Sequence, residues 1–163
     1  MVSCRKADKA ALPTPVQSTT TNNAPQDVVS AKINDRQWKS AAKGTAAPDA
    51  YLAAMNAGKL QIKTFGSFTD SAGVITQDQL GIYIDGVADT GTYTLSFTNY
   101  IVYNQLSDTP QYFSSQSANI GFVRITNLTD TTISGTFECR VDNTSGSGSV
   151  QVKDGSFSNV RFQ

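Results

Sequence analysis

The chain has 163 residues, 39% hydrophobic and 16% charged, which leaves room for one globular domain and a polar extension but not for a second domain. Its 13 basic and 13 acidic residues cancel and neither sign forms a run, so the electrostatic footprint of a nucleic-acid binder is absent. No stretch approaches the roughly 18 consecutive apolar residues of a membrane-spanning helix, and without histidine neither a Cys–His nucleophile nor a histidine metal site can be assembled.

Met1-Val2-Ser3-Cys4 places small or apolar residues before a cysteine, with Arg5, Lys6 and a polar tract behind it. This resembles the end of a bacterial lipobox, in which the signal peptide is cut just before the cysteine and the thiol carries a diacylglyceryl group. The resemblance implies lipidation at Cys4 and attachment to a membrane through that lipid; the charged and apolar stretches of such a signal are not in the sequence, so either the numbering begins inside the signal or Met1 is not the natural start. Arg5, in place of Asp, fits sorting to the outer membrane. Residues 5–28 hold Leu12-Pro13-Thr14-Pro15 and Ser18-Thr19-Thr20-Thr21-Asn22-Asn23-Ala24-Pro25 and almost nothing apolar to bury, so they are expected to form a disordered polar linker. At about 5–6 Å × √n, such a tether holds a domain roughly 25–30 Å from its anchor. The expected organisation is thus a lipobox remnant at 1–4, a linker at 5–28 and an all-β domain over 29–163.

From Val28 onward, short alternating runs are broken by turn formers about every ten positions, the pattern of an all-β domain. Ser30-Ala31-Lys32-Ile33 and Gln37-Trp38-Lys39 flank Asn34-Asp35, which predicts a tight hairpin with Trp38 in the core. Pro48 to Asn56 is alanine-rich, opened by Pro48 and closed by Gly58, and is read as a short helix, with a strand leading into a hairpin as its competitor. Leu60-Gln61-Ile62-Lys63, Leu80-Gly81-Ile82-Tyr83-Ile84, Tyr93-Thr94-Leu95-Ser96-Phe97 and Val150-Gln151-Val152-Lys153 all alternate with period two, one face buried and one wet. In Thr136-Phe137-Glu138-Cys139-Arg140-Val141, Cys139 shares the apolar face with Phe137 and Val141. It is read as a buried small hydrophobe whose thiol pKa is raised, and no disulfide with Cys4 is expected.

Gly66-Ser67-Phe68, Gly91-Thr92-Tyr93, Gly135-Thr136-Phe137 and Gly155-Ser156-Phe157 repeat one pattern of Gly, small hydroxyl and aromatic. It is read as a structural device in which the glycine permits a bulge or sharp strand entry and the aromatic drops into the core. The expected fold is an antiparallel β-sandwich or flattened barrel of about eight to ten strands, with at most one short helix.

Several segments together resemble a family of small lipoproteins of Bacteroidetes-type bacteria whose globular part is an all-β domain of unknown function. They are Ala31-Lys32-Ile33-Asn34-Asp35-Arg36-Gln37-Trp38, Leu60-Gln61-Ile62, Gly91-Thr92-Tyr93-Thr94-Leu95, Gly121-Phe122-Val123-Arg124-Ile125-Thr126, Ile133-Ser134-Gly135-Thr136-Phe137 and Lys153-Asp154-Gly155-Ser156-Phe157. Where family members tend to have Asn-Gly in the first turn, this chain has Asn34-Asp35. The resemblance implies a place in the cell envelope and brings no catalytic residues.

No catalytic residue and no cofactor is assigned from the sequence. Asp78, Asp85, Asp89, Asp108, Asp130, Asp142 and Asp154 mostly sit beside turn formers and are read as turn chemistry. Asp85-Gly86 with Asp89, and Asp142-Asn143, lack the spacing of a calcium loop, so no metal site is expected. Asp70-Ser71-Ala72 and Asp130-Thr131-Thr132 resemble an O-glycosylation acceptor pattern. The ligand surface, if the domain has one, is placed at Tyr100, Tyr103, Asn104 and Tyr112, tyrosines beside amides that stack on and hydrogen-bond a glycan or peptide. Tyr100 and Tyr103 fall on opposite faces of their strand, so one of them is expected in the core. The reading is a monomeric, non-catalytic binding or interaction module of the envelope, its partner a glycan or an envelope protein. The alternatives are a small-ligand or lipid carrier with a barrel cavity and a carboxylate-based glycan-active enzyme.

Overall fold

The computed structural model describes residues 28–40, 51–69, 75–106, 109–116 and 120–163. These form eleven strands, with no helix among the described residues. They are β1 (Val28–Ile33), β2 (Arg36–Ser40), β3 (Tyr51–Asn56), β4 (Lys59–Thr69), β5 (Ile75–Ile84), β6 (Gly91–Thr94), β7 (Tyr100–Gln105), β8 (Gln111–Ser114), β9 (Gly121–Leu128), β10 (Thr132–Asn143) and β11 (Ser149–Arg161). Every pairing is antiparallel. Following neighbours around, β1-β2-β4-β5-β7-β8-β10-β11 returns to β1, an eight-stranded closed barrel, while β3 extends β4, and β9 with β6 extends β10. The fold is therefore a closed antiparallel barrel with three additional strands, all-β as the alternation predicts and a barrel where the sequence left sandwich and barrel open.

The barrel is closed through two narrow seams. β2 meets β4 through only Lys39↔Ser67 and Ser40↔Gly66, and β8 meets β10 through only Asp142↔Ser114 and Asn143↔Phe113. A buried serine stands beside each seam. The Ser40 hydroxyl accepts a hydrogen bond from Val29 N at 2.9 Å, and that of Ser115 accepts one from Ile101 N at 2.7 Å. Both replace ladder bonds that the diverging strands no longer make, so the buried N–H groups keep a partner.

The repeated Gly-hydroxyl-aromatic pattern turns out to be a packing device between strands. A Cβ on Gly66 would stand 2.4 Å from the Trp38 ring, so the indole lies directly on the glycine. Gly135 and Gly155 do the same reciprocally: they pair with Phe157 and Phe137, a Cβ on either would meet the opposite ring within 2.5 Å, and the two rings lie 6.3 Å apart. Gly91 has open space around it and is not part of this device. Bulges are present too, but on residues other than these glycines. Asp154 and Asn159 take φ of 49° and 47° where the β10–β11 register shifts. Each inserts one residue, so the inward set runs Val150 and Val152, then Gly155 and Phe157, then Val160. Without them the period-two rule would turn Phe157 to solvent.

Asn34 and Asp35, at φ 48° and 63°, make the two-residue turn expected between β1 and β2. The helix read over Pro48 to Asn56 is corrected: Tyr51–Asn56 is strand β3, and 48–50 lie outside the described residues. Six consecutive pairs with β4 and full burial of Ala53 outweigh the local preference of alanine for helix. The hairpin turns on Ala57 and Gly58, both at positive φ.

Ala57→Asn, which suits the left-handed region better than alanine, should raise the urea-unfolding free energy by about 0.5–1 kcal/mol. Gly155→Ala should lower it by about 1–3 kcal/mol, with part of the loss recovered when Phe137 is also shortened to leucine.

Candidate ligand-binding face

Strands β4, β5, β7 and β8 alternate, so each sends every second residue to the outer face of one sheet. Their register sets three rows across that face: Gln61-Tyr83-Tyr100, then Lys63-Gly81-Val102-Ser114, then Phe65-Gln79-Asn104-Tyr112. In the first row the Tyr83 and Tyr100 rings stack with centroids 4.7 Å apart and planes 15° from parallel. Gly81 makes this possible, because a Cβ there would meet Tyr83 Cε2 at 2.9 Å and Val102 Cγ2 at 2.8 Å. Beside the pair runs an open groove of about 300 Å³, lined by Lys59, Gln61, Tyr83, Asp85, Thr98 and Tyr100. Burial, then the neighbouring Tyr83, pushes the Tyr100 phenol above its ordinary value, so it stays a neutral hydrogen-bonding group. The groove thus combines aromatic rings, an amide, a hydroxyl and one charge of each sign, suited to a neutral polar ligand with a flat apolar side.

Tyr100, Asn104 and Tyr112 all point to this outer face. Asn104, four residues along β7 and about 13 Å from Tyr100, donates through Nδ2 to Gln79 Oε1 at 2.8 Å. Tyr112, beside it on β8, is 49% exposed. Tyr103 is turned inward: it is 1% exposed, packs on Phe113, and its hydroxyl donates to Asp78 Oδ2 at 2.6 Å. It takes no part in the outer face. Cys4 lies outside the described residues, as does the Asp70-Ser71-Ala72 pattern, while Thr131 of the second pattern is exposed in the β9–β10 turn.

The structure corrects the reading of Asp78 as a turn acid. It is 3% exposed within β5, on the inward face shared with Leu80, Ile82 and Ile84. Its parity with those three residues was the available signal, and the same parity puts Tyr83 outward with Gln79 and Gly81. Burial pushes the Asp78 carboxyl above its usual range, opposed by the Tyr103 hydroxyl, the Leu106 backbone and Arg36. Arg36 itself sits over the Phe68 ring at 4.6 Å. Asp85 and Asp89 behave as turn groups, Asp85 Oδ1 accepting from Gly86 N and Asp89 Oδ1 from Thr90 N, whereas Asp142 and Asp154 are corrected to strand residues: Asp142 lies in β10 and pairs with Arg140 at 3.0 Å, and Asp154 lies at a bulge in β11. The Cys139 thiol, buried among apolar neighbours, is pushed up to about 12 and stays protonated at neutral pH.

A family model described as Domain of unknown function (DUF6252) matches residues 26–161. The chain belongs to the DUF6252 family. The matched span of this DUF6252 domain runs from just before β1 to the last residue of β11, so it takes in the whole barrel and every residue of the outer face. No curated protein and no solved structure matches the chain.

The buried pair gives the DUF6252 domain a distinct pH signature. With its folded pKa raised, Asp78 binds more protons in the native than in the unfolded state, so its contribution to stability falls as pH rises from about 4 through the folded value. Asp78→Asn, which still accepts from Tyr103, should abolish that fall. Tyr103→Phe should cost about 1.5–3 kcal/mol and steepen it, because the carboxylate loses its donor. Urea titrations from pH 4 to 8 check both.

Proposed function

We propose that this DUF6252 chain is a monomeric, non-catalytic carbohydrate-binding module, held at the cell envelope, on the outer membrane, by a lipid on Cys4. The observation that carries the binding reading is the Tyr83–Tyr100 stack set beside an open groove with Gln61 and Thr98. Sugars present flat C–H faces that pack on aromatic rings and hydroxyls that pair with amides, and they ask for no net charge. Lys59 and Asp85 supply one charge of each sign. A peptide would be served better by an unpaired strand edge, and this groove lies on a sheet face. The envelope reading rests on the lipobox-like Met1-Val2-Ser3-Cys4 and the polar tract behind it.

The carrier reading has one observation in its favour. A cavity of about 460 Å³ opens between the β5–β6 connection, the β9–β10 turn and the chain end, with Met55, Val87, Leu128 and Phe162 in its lining. It is open to solvent and bordered by Asp89 and Asp130, which suits a fatty chain less well than an enclosed pocket does.

A glycan array probed with the domain, Tyr83→Ala and Tyr100→Ala decides the binding reading. Wild type should bind a restricted set of glycans and each variant should lose about tenfold or more in affinity, while its unfolding midpoint stays near wild type. Equal binding by the variants would remove the outer face as the site. For the anchor, the product of the full-length gene expressed in a bacterial host should carry added lipid mass and partition into detergent, and Cys4→Ser should do neither. Aqueous behaviour of both proteins without added mass would remove the anchor.

A further inference from the structure

Phe97 is 76% exposed, the most exposed large hydrophobic side chain among the described residues. Nothing about its loop is loose. Leu95, fully buried, donates its N–H to Gly121 O at 3.0 Å, and Ser96 N donates to Asn99 O at 2.6 Å. The Ser96 hydroxyl accepts from Thr98 N and Asn99 N, both at 3.3 Å. Asn99 then ties the loop to the neighbouring connection, its Oδ1 accepting from Asp85 N at 2.8 Å and its Nδ2 donating to Thr94 O at 3.4 Å. Asp85 and Thr98 are both walls of the tyrosine groove. The same hydrogen bonds that shape the groove's end therefore fix the backbone that carries the exposed Phe97 ring. Phe97 and Tyr100 are three positions apart, so their Cα atoms are at most about 11 Å from each other.

We propose that Phe97 is a second stacking platform of the glycan site, so that the domain selects chains of several sugar units over mono- and disaccharides. This rests on the carbohydrate reading of the groove. On that reading a short sugar is held beside Tyr83 and Tyr100, and added units carry a longer one past Thr98 toward Phe97. Fixing the backbone beforehand removes the entropy cost of ordering the loop on binding, which is the gain a pinned loop offers over a flexible one.

The test uses β-1,4-linked oligomers of glucose, N-acetylglucosamine and xylose, two to six units long, titrated by calorimetry. For the series that binds, Kd should tighten from dimer to hexamer. Phe97→Ala should weaken the hexamer about three- to tenfold and leave the dimer unchanged. Phe97→Leu, apolar but without a ring, should behave like Phe97→Ala. Trp38 is the only tryptophan of the chain and is buried, so a Phe97→Trp variant reports contact directly: its emission should shift to the blue with hexamer and not with dimer. Hexamer binding that depends on Tyr83 but is equal in wild type and Phe97→Ala overturns this proposal and leaves the groove reading standing. No binding by any oligomer overturns this proposal, and no binding on the glycan array as well overturns the groove reading with it. A blue shift with phosphatidylethanolamine–phosphatidylglycerol vesicles and none with hexamer assigns Phe97 to a membrane contact instead and overturns it as well.

Discussion

The barrel depends on aromatic rings lying on glycines. At the β2–β4 seam there are only two residue pairs, too few ladder bonds to hold two sheets together, and what covers the gap is Trp38, fully buried against Gly66. An indole buries more apolar surface than any other side chain, and it reaches this position only because the facing residue has no Cβ. Across the barrel, Phe137 and Phe157 repeat the arrangement with Gly135 and Gly155, fastening β10 to β11. The small residue is therefore as necessary as the large one, and neither works if the register moves by one.

Register is in turn what the bulges protect. β11 serves as partner to β1 and β10 and runs for thirteen residues. A strand of that length in a closed, twisted barrel cannot stay regular while keeping its apolar side inward throughout. Asp154 and Asn159 absorb the mismatch, and both are residue types that tolerate the left-handed conformation. Asp154 also receives Lys32 at 2.7 Å, so the bulge that sets the phase of β11 is tied to β1, which pairs with it there.

Much of this was legible in the sequence, and the parts that were not share a cause. Period-two alternation gives the strands and the inward set of β10, and Asn34-Asp35 gives the first hairpin. The Gly-hydroxyl-aromatic repeat is visible as a pattern, but its purpose is a contact between strands, and the ring that covers each glycine comes from elsewhere in the chain. Tyr51–Asn56 reads as helix because alanine prefers helix when alone, whereas six pairs with β4 decide the matter in the fold. On the outer face Tyr100, Asn104 and Tyr112 were legible, but of the tyrosine stack only Tyr100 was. Its stacking partner Tyr83 lies seventeen positions away, brought alongside by the β5–β7 register. Tyr103 and Asp78 went unmatched for the same reason, since a buried acid and a buried tyrosine explain each other only once they meet.

That buried pair also bears on the outer face. β5 and β7 carry the core on one side and the tyrosine stack on the other, so whatever fixes their register fixes both. Apolar contacts alone do this weakly, because Leu80, Ile82, Ile84 and Ile101 are interchangeable enough to tolerate a two-residue slide. The Tyr103–Asp78 hydrogen bond does not tolerate one: a slide would leave a carboxylate buried without its donor. The same slide would carry Tyr100 away from Tyr83 and off the depression at Gly81. A polar pair that is costly to separate thus disfavours the alternative registers, and with them any shift of the two outer rings from their 4.7 Å stack.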